Sequence, residues 1–354
     1  MSPSGADRTK TAGVTSLRRR LPSTTESARA LVPLAAAILA LGVFATIKSE
    51  NFLTLQNFQN IFQELAVLGI LAVGATLLMV AGQLDLSVGS GVSLLSIIGA
   101  KMIVAHWSQG IAIVAMLALS TAIGLVTGIV VASTRVQPFI VTLGALSVLA
   151  GLALIVSQTR PVPVGLNFSK LSLDEWGPFP VPALLFGGLC IAGALLLRFT
   201  KLGRYAYAIG SNEEAAFLAG VPIARTKIML YGINGCLVGV GALMLLARLG
   251  SGDPNAGIGL ELKAITAVVL GGATLAGGRG TMLGAFLGVF MLAEISNALN
   301  IVGVPNTYEQ LVYGGVLVVA VVWAAVNELR RRSAVPVGRQ LAAALERGRA
   351  RLSR

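Results

Sequence analysis

Ten apolar runs dominate this sequence, and most of them are long enough to cross a lipid bilayer as helices. A helix needs about 20 apolar residues to span the hydrocarbon core. Only 12% of the 354 residues are charged, whereas soluble domains carry about 25%. We therefore predict an all-α polytopic integral membrane protein with about ten transmembrane helices. The predicted spans are 30–47, 65–82, 88–105, 110–132, 138–157, 181–199, 226–249, 262–277, 282–302 and 309–327.

The distribution of basic residues predicts the orientation of these spans. Ten spans place both termini on one side, and that side holds most of the 27 Lys and Arg residues. Basic residues mark the cytoplasmic face of membrane proteins. The net charge of +12 then needs no nucleic-acid partner. We predict a basic cytoplasmic tail over 1–29, a transmembrane domain over 30–327 and a second basic cytoplasmic tail over 328–354. We favour a retained first helix over a cleaved signal peptide, because the span count then fits the charge pattern.

The sequence contains no motif of a known catalytic or nucleotide-binding site. There is no Walker A phosphate loop, and the glycine-rich segment 277–281 lacks its lysine. No cluster of His, Cys or carboxylate side chains has metal-binding spacing. We predict no catalytic residue, no bound metal and no cofactor. If the protein moves a solute uphill, either a partner chain or an ion gradient supplies the energy.

An ion gradient would need ionisable residues within the spans. Glu294 lies in the ninth predicted span, and Asn297 follows it on the same helix face. The two residues could line a polar pathway. The alternative is a packed polar pair that is hydrogen-bonded between helices, and both interpretations stay open.

The cytoplasmic loop 200–225 carries the most specific local signal. Ser211 and Glu214 form a predicted capping box that begins a short helix. Gly220 can take the left-handed conformation that ends it. Phe217 and Leu218 would then be exposed, which favours a docking helix over a helix lying on the bilayer. The predicted docking helix comprises Ser211, Asn212, Glu213, Glu214, Ala215, Ala216, Phe217, Leu218 and Gly220.

Four stretches give the chain a family resemblance. They are Val80–Gly89 (VAGQLDLSVG), Pro138–Gly144 (PFIVTLG), the loop from Phe199 to Pro222, and Leu262–Leu275 (LKAITAVVLGGATL) with Gly277 and Gly278. The chain resembles the permease subunit of an ATP-binding cassette (ABC) importer. It is most similar to the ribose/xylose-type monosaccharide permeases, which are relatives of the branched-chain amino acid permeases. Gln83 departs from the pattern, which usually has Gly or Ile there.

The resemblance implies a set of partners. Such permeases work as a pair of membrane subunits, so a second permease subunit, as a homodimer, is expected. Two cytoplasmic ATPase subunits would carry ATP and Mg and grip the docking helix, which would be a coupling helix. An extracytoplasmic sugar-binding protein would deliver the sugar. The chain would be a multi-pass protein of the bacterial inner membrane and not itself an enzyme.

The break between the second and third spans contains Gln83, Asp85 and Ser87. Irregular backbone at membrane depth occurs where it is buried or lines a cavity. One interpretation is a gate or packing hinge near the cytoplasmic side. The other is a simple polar turn in which Asp85 caps the third span through the N–H of Ser87 or Val88.

Two other transport functions remain open from the sequence. One is a branched-chain amino acid permease of the same superfamily, and the other is an ion-coupled secondary transporter that works alone. The sequence does not identify the sugar, because the binding protein largely selects it.

Overall fold

The computed structural model describes residues 24–134, 136–165, 175–176, 179–305 and 308–333. Within these ranges the chain is almost entirely helical. The helices are α1 (Thr24–Lys48), α2 (Leu55–Val80), α3 (Val88–Val104), α4 (Gln109–Ser133), α5 (Pro138–Ser157), α6 (Val181–Phe199), α7 (Lys201–Ser211), α8 (Glu213–Leu218), α9 (Ile223–Leu249), α10 (Leu260–Leu270), α11 (Met282–Ile301) and α12 (Glu309–Ser333). The strands are β1 (Val162–Pro163), β2 (Glu175–Trp176), β3 (Phe179–Pro180) and β4 (Ser251–Gly252).

Seven of the described helices are long and apolar enough to cross a membrane: α1 from Leu31, α2, α4, α5, α6, α9 and α11. Each of the ten predicted runs contains a helix, but α3, α10 and the apolar part of α12 are shorter. The multi-pass architecture is confirmed, whereas ten full spans remain a prediction.

Two predicted boundaries were wrong. The second helix begins at Leu55 instead of residue 65, because the side chain of Thr54 caps it by accepting a hydrogen bond from Asn57 N at 3.3 Å. The eighth run is helical only from Leu260 to Leu270. It stops there because Gly272 takes a φ of +88°, in the left-handed region that L side chains disfavour.

The helices form an inner group and an outer group. In the most apolar 18-residue window, 83% of the residues of α2 and 72% of those of α9 are buried. The corresponding shares are 11% in α1 and 17% in α5. The outer helices therefore expose large apolar side chains that suit contact with lipid, and the inner helices carry the polar features described below.

Small residues allow the inner helices to approach closely. A methyl group placed on Gly124 of α4 would come within 2.9 Å of the Cα atom of Gly235 on α9, and the converse is also true. Contact of this kind between backbones is the typical packing of helices in lipid. The sequence has 42 glycines, and at this crossing two of them allow the backbones of α4 and α9 to touch.

Two short sheets organise the ends of the helices. β1 pairs antiparallel with β4, Val162 lying opposite Gly252, and β2 pairs antiparallel with β3. The N–H of Val164 donates to Gly250 O at 2.9 Å. Because β1 follows α5 and β4 follows α9, the C-terminal ends of these two helices lie at the same end of the molecule.

The predicted tails lie largely outside the described residues. α1 begins at Thr24, within the predicted N-terminal tail, and α12 ends at Ser333, within the predicted C-terminal tail. Residues 1–23 and 334–354 are not described, so the cytoplasmic placement of both tails remains a prediction.

Candidate functional site

The loop between α6 and α9 folds into two consecutive helices, α7 and α8. Asn212 separates them with an extended backbone (φ −168°), and its Oδ1 accepts a hydrogen bond from Ala215 N at 2.9 Å. The predicted capping box on Ser211 and Glu214 was therefore wrong. Ser211 is the last residue of α7, and Asn212 occupies the N-cap position of α8 in its place. The predicted docking helix is shorter than expected and comprises Glu213–Leu218.

The end of α8 has the geometry expected from the sequence. Gly220 has a φ of +79°. Its N–H donates to Phe217 O at 2.9 Å, and the N–H of Val221 donates to Ala216 O at 3.0 Å. These are the two hydrogen bonds of a Schellman motif, so the C-terminus of α8 is fixed by the backbone itself.

The tip of α8 is apolar and exposed. Phe217 and Leu218 are 68% and 81% exposed, whereas Ala216 is buried. Lys227 Nζ on α9 lies 2.8 Å from Glu213 Oε1, so α8 is attached to the N-terminal turns of α9. A fixed helix with two exposed apolar side chains fits the predicted docking role.

The C-terminal end of α7 contacts two other elements through glycine. A methyl group on Gly277 would come within 2.7 Å of Gly82 Cα and 2.8 Å of Gly210 Cα. A methyl group on Gly210 would overlap Val80 O. We call Gly82, Gly210 and Gly277 the glycine junction. It joins the end of α7 to the end of α2 and to the loop between α10 and α11.

Hydrogen bonds also connect the elements that meet at the glycine junction. Gly278 N donates to Val80 O at 2.9 Å. The hydroxyl of Tyr207 on α7 donates to Gly280 O at 2.7 Å. Burial raises the pKa of Tyr207 above its ordinary value, so the phenol remains a protonated donor at neutral pH. Helix α7 is thus in direct contact with the end of α2 and with the loop between α10 and α11.

The break between α2 and α3 is held by α9. Asp85 Oδ1 accepts hydrogen bonds from Ser87 N at 2.9 Å and Ser87 Oγ at 2.6 Å, and Asp85 Oδ2 accepts from Asn234 Nδ2 at 2.8 Å. The hydroxyl of Tyr231 donates to Leu84 O at 2.8 Å. Gln83 is buried, and its Nε2 donates to Ala81 O at 3.3 Å. This geometry matches the predicted polar turn, and a gating role stays a prediction.

A polar pocket with a volume of about 400 Å³ lies at the other end of α2 and α9. Its lining comes from the first turns of α2 and the last turns of α9 and α11. The lining residues are Asn57, Asn60, Gln63, Glu64, Arg248, Asn297, Asn300 and Ile301. We call this cavity the polar pocket.

Two amides form the buried wall of the polar pocket. Asn57 Nδ2 donates to Asn297 Oδ1 at 3.0 Å, and Asn297 Nδ2 donates to Asn57 Oδ1 at 2.7 Å. Asn57 Nδ2 also donates to Phe52 O at 2.8 Å. Both protons of the Asn57 amide are therefore used, while the second proton of the Asn297 amide has no partner in the described part of the chain.

Glu64 connects the polar pocket to a partly buried polar cluster. Ser296 Oγ lies 2.6 Å from Glu64 Oε1 and 2.7 Å from Glu309 Oε1. Glu309 Oε2 lies 3.6 Å from Lys263 Nζ, and Lys263 also lies over the ring of Tyr313. The cluster fixes the Glu64 carboxylate through partners on α10, α11 and α12. Across the described residues, no three His, Cys, Asp or Glu side chains are placed to hold a metal ion.

The structure separates the two residues predicted as a polar pathway. Asn297 lines the polar pocket. Glu294 is buried against α1 instead, where a methyl group on Gly42 would come within 3.0 Å of Glu294 Oε1. The pocket also contains Asn57, Asn60 and Glu64, which sequence reasoning missed. Their spacing of three and four residues was a helical signal, but the second span was predicted to begin after them.

Comparisons with known proteins agree on the class of this chain. The profile of the family described as "Branched-chain amino acid transport system / permease component" matches residues 57–321. The chain is 38% identical over 290 residues to the ribose import permease of Escherichia coli K12, covering 80% of this chain and 90% of that protein. It is 34% identical over 302 residues to the L-arabinose ABC transporter permease of Azospirillum brasilense, with 82% and 87% coverage.

A third similar protein is the xylose transport system permease of Escherichia coli K12, at 31% identity over 350 residues, covering 81% of this chain and 89% of that protein. No solved structure matches the chain significantly.

Proposed function

The chain belongs to the permease-component family of branched-chain amino acid transport systems, and from this we propose that it is the membrane-spanning subunit of an ABC importer for a monosaccharide. The ribose, L-arabinose and xylose permeases that resemble it over about four fifths of its length support the substrate class. ATP hydrolysis in a separate subunit drives the transport, so this chain is not itself an enzyme.

The exposed tip of α8 is the observation that carries the proposal. Two apolar side chains, Phe217 and Leu218, are exposed on α8. The helix is capped at both ends and bound to α9 by an ion pair. A six-residue helix is unstable in isolation, so the caps and the ion pair are needed to hold α8 in place. A helix that is held in place while its apolar side chains stay exposed favours a binding surface for a partner. We assign that partner as the cytoplasmic ATPase.

The glycine junction provides a route from the ATPase to the solute. A displacement of α8 would be passed through α7 to the end of α2 and to the loop before α11, because their backbones are in contact there. α2 has 26 residues and is therefore about 39 Å long. Its far end and that of α11 line the polar pocket. ATP binding would then favour one of two arrangements of the inner helices, which is alternating access.

The complete transporter contains further chains. A second copy of the permease would complete the membrane part, and an extracytoplasmic sugar-binding protein would deliver the sugar. ATP and Mg would bind to the ATPase subunits. With α8 on the cytoplasmic side of the bacterial inner membrane, both termini are cytoplasmic, and the polar pocket faces the side where the binding protein acts.

The docking of α8 can be tested by copurification. Phe217→Asp combined with Leu218→Asp should remove at least nine tenths of the ATPase that copurifies with the permease, because burying two charges at an interface is costly (about 10-fold in affinity per 1.4 kcal/mol). Ala224→Asp is the matched control. It adds one of the two negative charges of the double variant, at an exposed position of α9 outside α8, and should leave copurification unchanged. Full ATPase recovery with the double variant would contradict the proposal.

A second experiment separates this function from ion-coupled transport. Vesicles that contain the permease without its ATPase should not accumulate sugar under a proton or sodium gradient. Accumulation under those conditions would support the secondary-transporter alternative, and the Glu64–Ser296–Glu309 cluster would then be the first candidate for an ion pathway.

A further inference from the structure

The lining of the polar pocket is unusually rich in hydrogen-bonding groups. Seven of its eight residues are polar, and five of those are Asn or Gln. Small-molecule pockets are typically lined by hydrophobic side chains with only a few polar groups. A solute that fits this lining must therefore be polar over most of its surface.

Amide side chains match hydroxyl groups in particular. Each amide presents both donors and an acceptor, and each sugar hydroxyl is likewise both donor and acceptor. The second amide proton of Asn297 has no protein partner among the described residues, and Asn60 and Asn300 are exposed at the rim. Glu64 adds a carboxylate whose position is fixed by Ser296.

An aliphatic amino acid would fit this lining poorly. Its branched side chain would need an apolar surface, and Ile301 is the one apolar residue of the lining. Placing an aliphatic group against the amides would leave their polar atoms without partners, at a cost of about 1–3 kcal/mol each. Glu64 and Arg248 could pair with the ammonium and carboxylate groups of any amino acid, so the preference for a polyhydroxyl solute rests on how little apolar surface the lining offers a branched side chain.

The size and position of the pocket also suit a solute in transit. Its volume of about 400 Å³ lies within the usual range of small-molecule sites, about 300–1,000 Å³. It lies at the end of α2 and α9 opposite α8, and α2 and α11 extend from it to the elements that α7 contacts.

We propose that the polar pocket is a monosaccharide-binding site of the permease itself, which accepts the sugar after the binding protein releases it. This inference rests on the proposed function, because it names the site at which that function receives its solute. The sugar would be held by the amides of α2 and α11 and by Glu64, with Arg248 at the rim.

Protection of a single cysteine tests the site without disturbing its polar groups. Cys190 and Cys236 are first replaced by Ala, and Ile301→Cys is introduced into that full-length chain. The rate of labelling by a water-soluble maleimide is measured with D-ribose, D-xylose or L-arabinose as the probe. At ten times the half-protecting concentration, at least one of these sugars should slow labelling about tenfold.

A matched control and a second variant sharpen the result. Asn51→Cys in the same cysteine-free chain is the control. Asn51 is exposed between α1 and α2 and does not line the pocket, so labelling of Asn51→Cys should not respond to sugar. Adding Asn60→Leu and Gln63→Leu to the Ile301→Cys chain should abolish protection, because both substitutions remove hydrogen-bonding groups from the lining.

Each other outcome overturns the proposal in a recognisable way. Protection by L-leucine and not by the sugars would make the pocket an amino acid site. Protection by the sugar-loaded binding protein alone would make it a docking surface for that protein. No protection by any probe would exclude a binding site. This assay needs no ATPase, so its failure is independent of the copurification result for Phe217 and Leu218.

Discussion

The two ends of α2 are built in opposite ways. At its C-terminal end, the backbones of Gly210 and Gly277 lie so close to Val80 and Gly82 that neither glycine has room for a methyl group. At its N-terminal end, Asn57 and Asn60 face a cavity of about 400 Å³. One end is a close contact between backbones, and the other is an open polar surface.

This difference indicates separate roles for the two ends. A contact between backbones passes a displacement on, because there are no side chains that can adjust in between. An open lining of amides can exchange its hydrogen bonds between water and a solute. We therefore expect the glycine end to be intolerant of any added atom, and the amide end to tolerate substitution without loss of folding.

The largest effect is expected for Gly210→Ala. The added methyl group would overlap Val80 O and come within 2.5 Å of Gly278 N, both of which are backbone atoms that cannot move separately. Overpacking of this kind costs about 1–3 kcal/mol and occasionally more. We expect a clear loss of thermal stability in detergent, together with loss of ATP-driven transport.

Gly188→Ala provides the control for this prediction. Gly188 is in α6, and a methyl group there meets no atom within 4 Å. The free energy of unfolding of the Gly188→Ala variant should equal that of the wild type or exceed it by up to about 1 kcal/mol, because Ala is a better helix former than Gly. Equal stability of the Gly210→Ala and Gly188→Ala variants would show that the junction is not closely packed.

The next largest effect is expected at the break between α2 and α3. Asn234→Leu removes the donor to Asp85 Oδ2 and leaves a partly buried carboxylate oxygen unpaired, at a cost of about 1–3 kcal/mol. Tyr231→Phe removes only the hydroxyl that donates to Leu84 O and should cost about 1 kcal/mol. The melting temperatures of the two variants in detergent check this prediction. If Tyr231→Phe lowered the melting temperature more than Asn234→Leu, the hydrogen bond from Asn234 to Asp85 would not be the stronger of these two contacts between α9 and the break.

The sequence predicted the helical architecture well, because lipid imposes a simple rule. Apolar runs long enough to span it must be helical, and each predicted run contains a helix. The errors occurred where other forces decide. Residues 55–64, six of which are polar, join α2 because Thr54 caps it. Helix α8 starts after Asn212 because that residue has the extended backbone, whereas Ser211 belongs to α7.

The site was predictable only where the signal is local. The exposed tip at Phe217 and Leu218 was predicted from helix start and stop signals that lie within ten residues of each other in the sequence. The polar pocket depends on residues far apart in the chain, such as Asn57 and Asn297, which are 240 positions apart, and the glycine junction joins Gly82 to Gly210 and Gly277. Such contacts arise from tertiary packing, and no spacing in one sequence encodes them.

A smaller effect is expected for Tyr207→Phe. The substitution keeps the ring and removes one hydrogen bond, to Gly280 O, at a cost of about 0.5–1.5 kcal/mol. If α7 transmits the movement of α8, ATP hydrolysis should continue while transport per ATP decreases. The ratio of sugar transported to ATP hydrolysed in proteoliposomes measures this, and an unchanged ratio would remove Tyr207 from the route.

The smallest effect on stability is expected for Asn60→Leu at the amide end of α2. Asn60 is exposed, so the change should alter stability by no more than about 0.5 kcal/mol. Transport of the sugar should nevertheless decrease, because one amide of the polar pocket is lost. Phe58→Leu is a matched control, since Phe58 is also exposed on α2 but does not line the pocket. If both variants transport equally, the amide end does not contact the solute; if Asn60→Leu alone transports less at full stability, the two ends of α2 have separable roles.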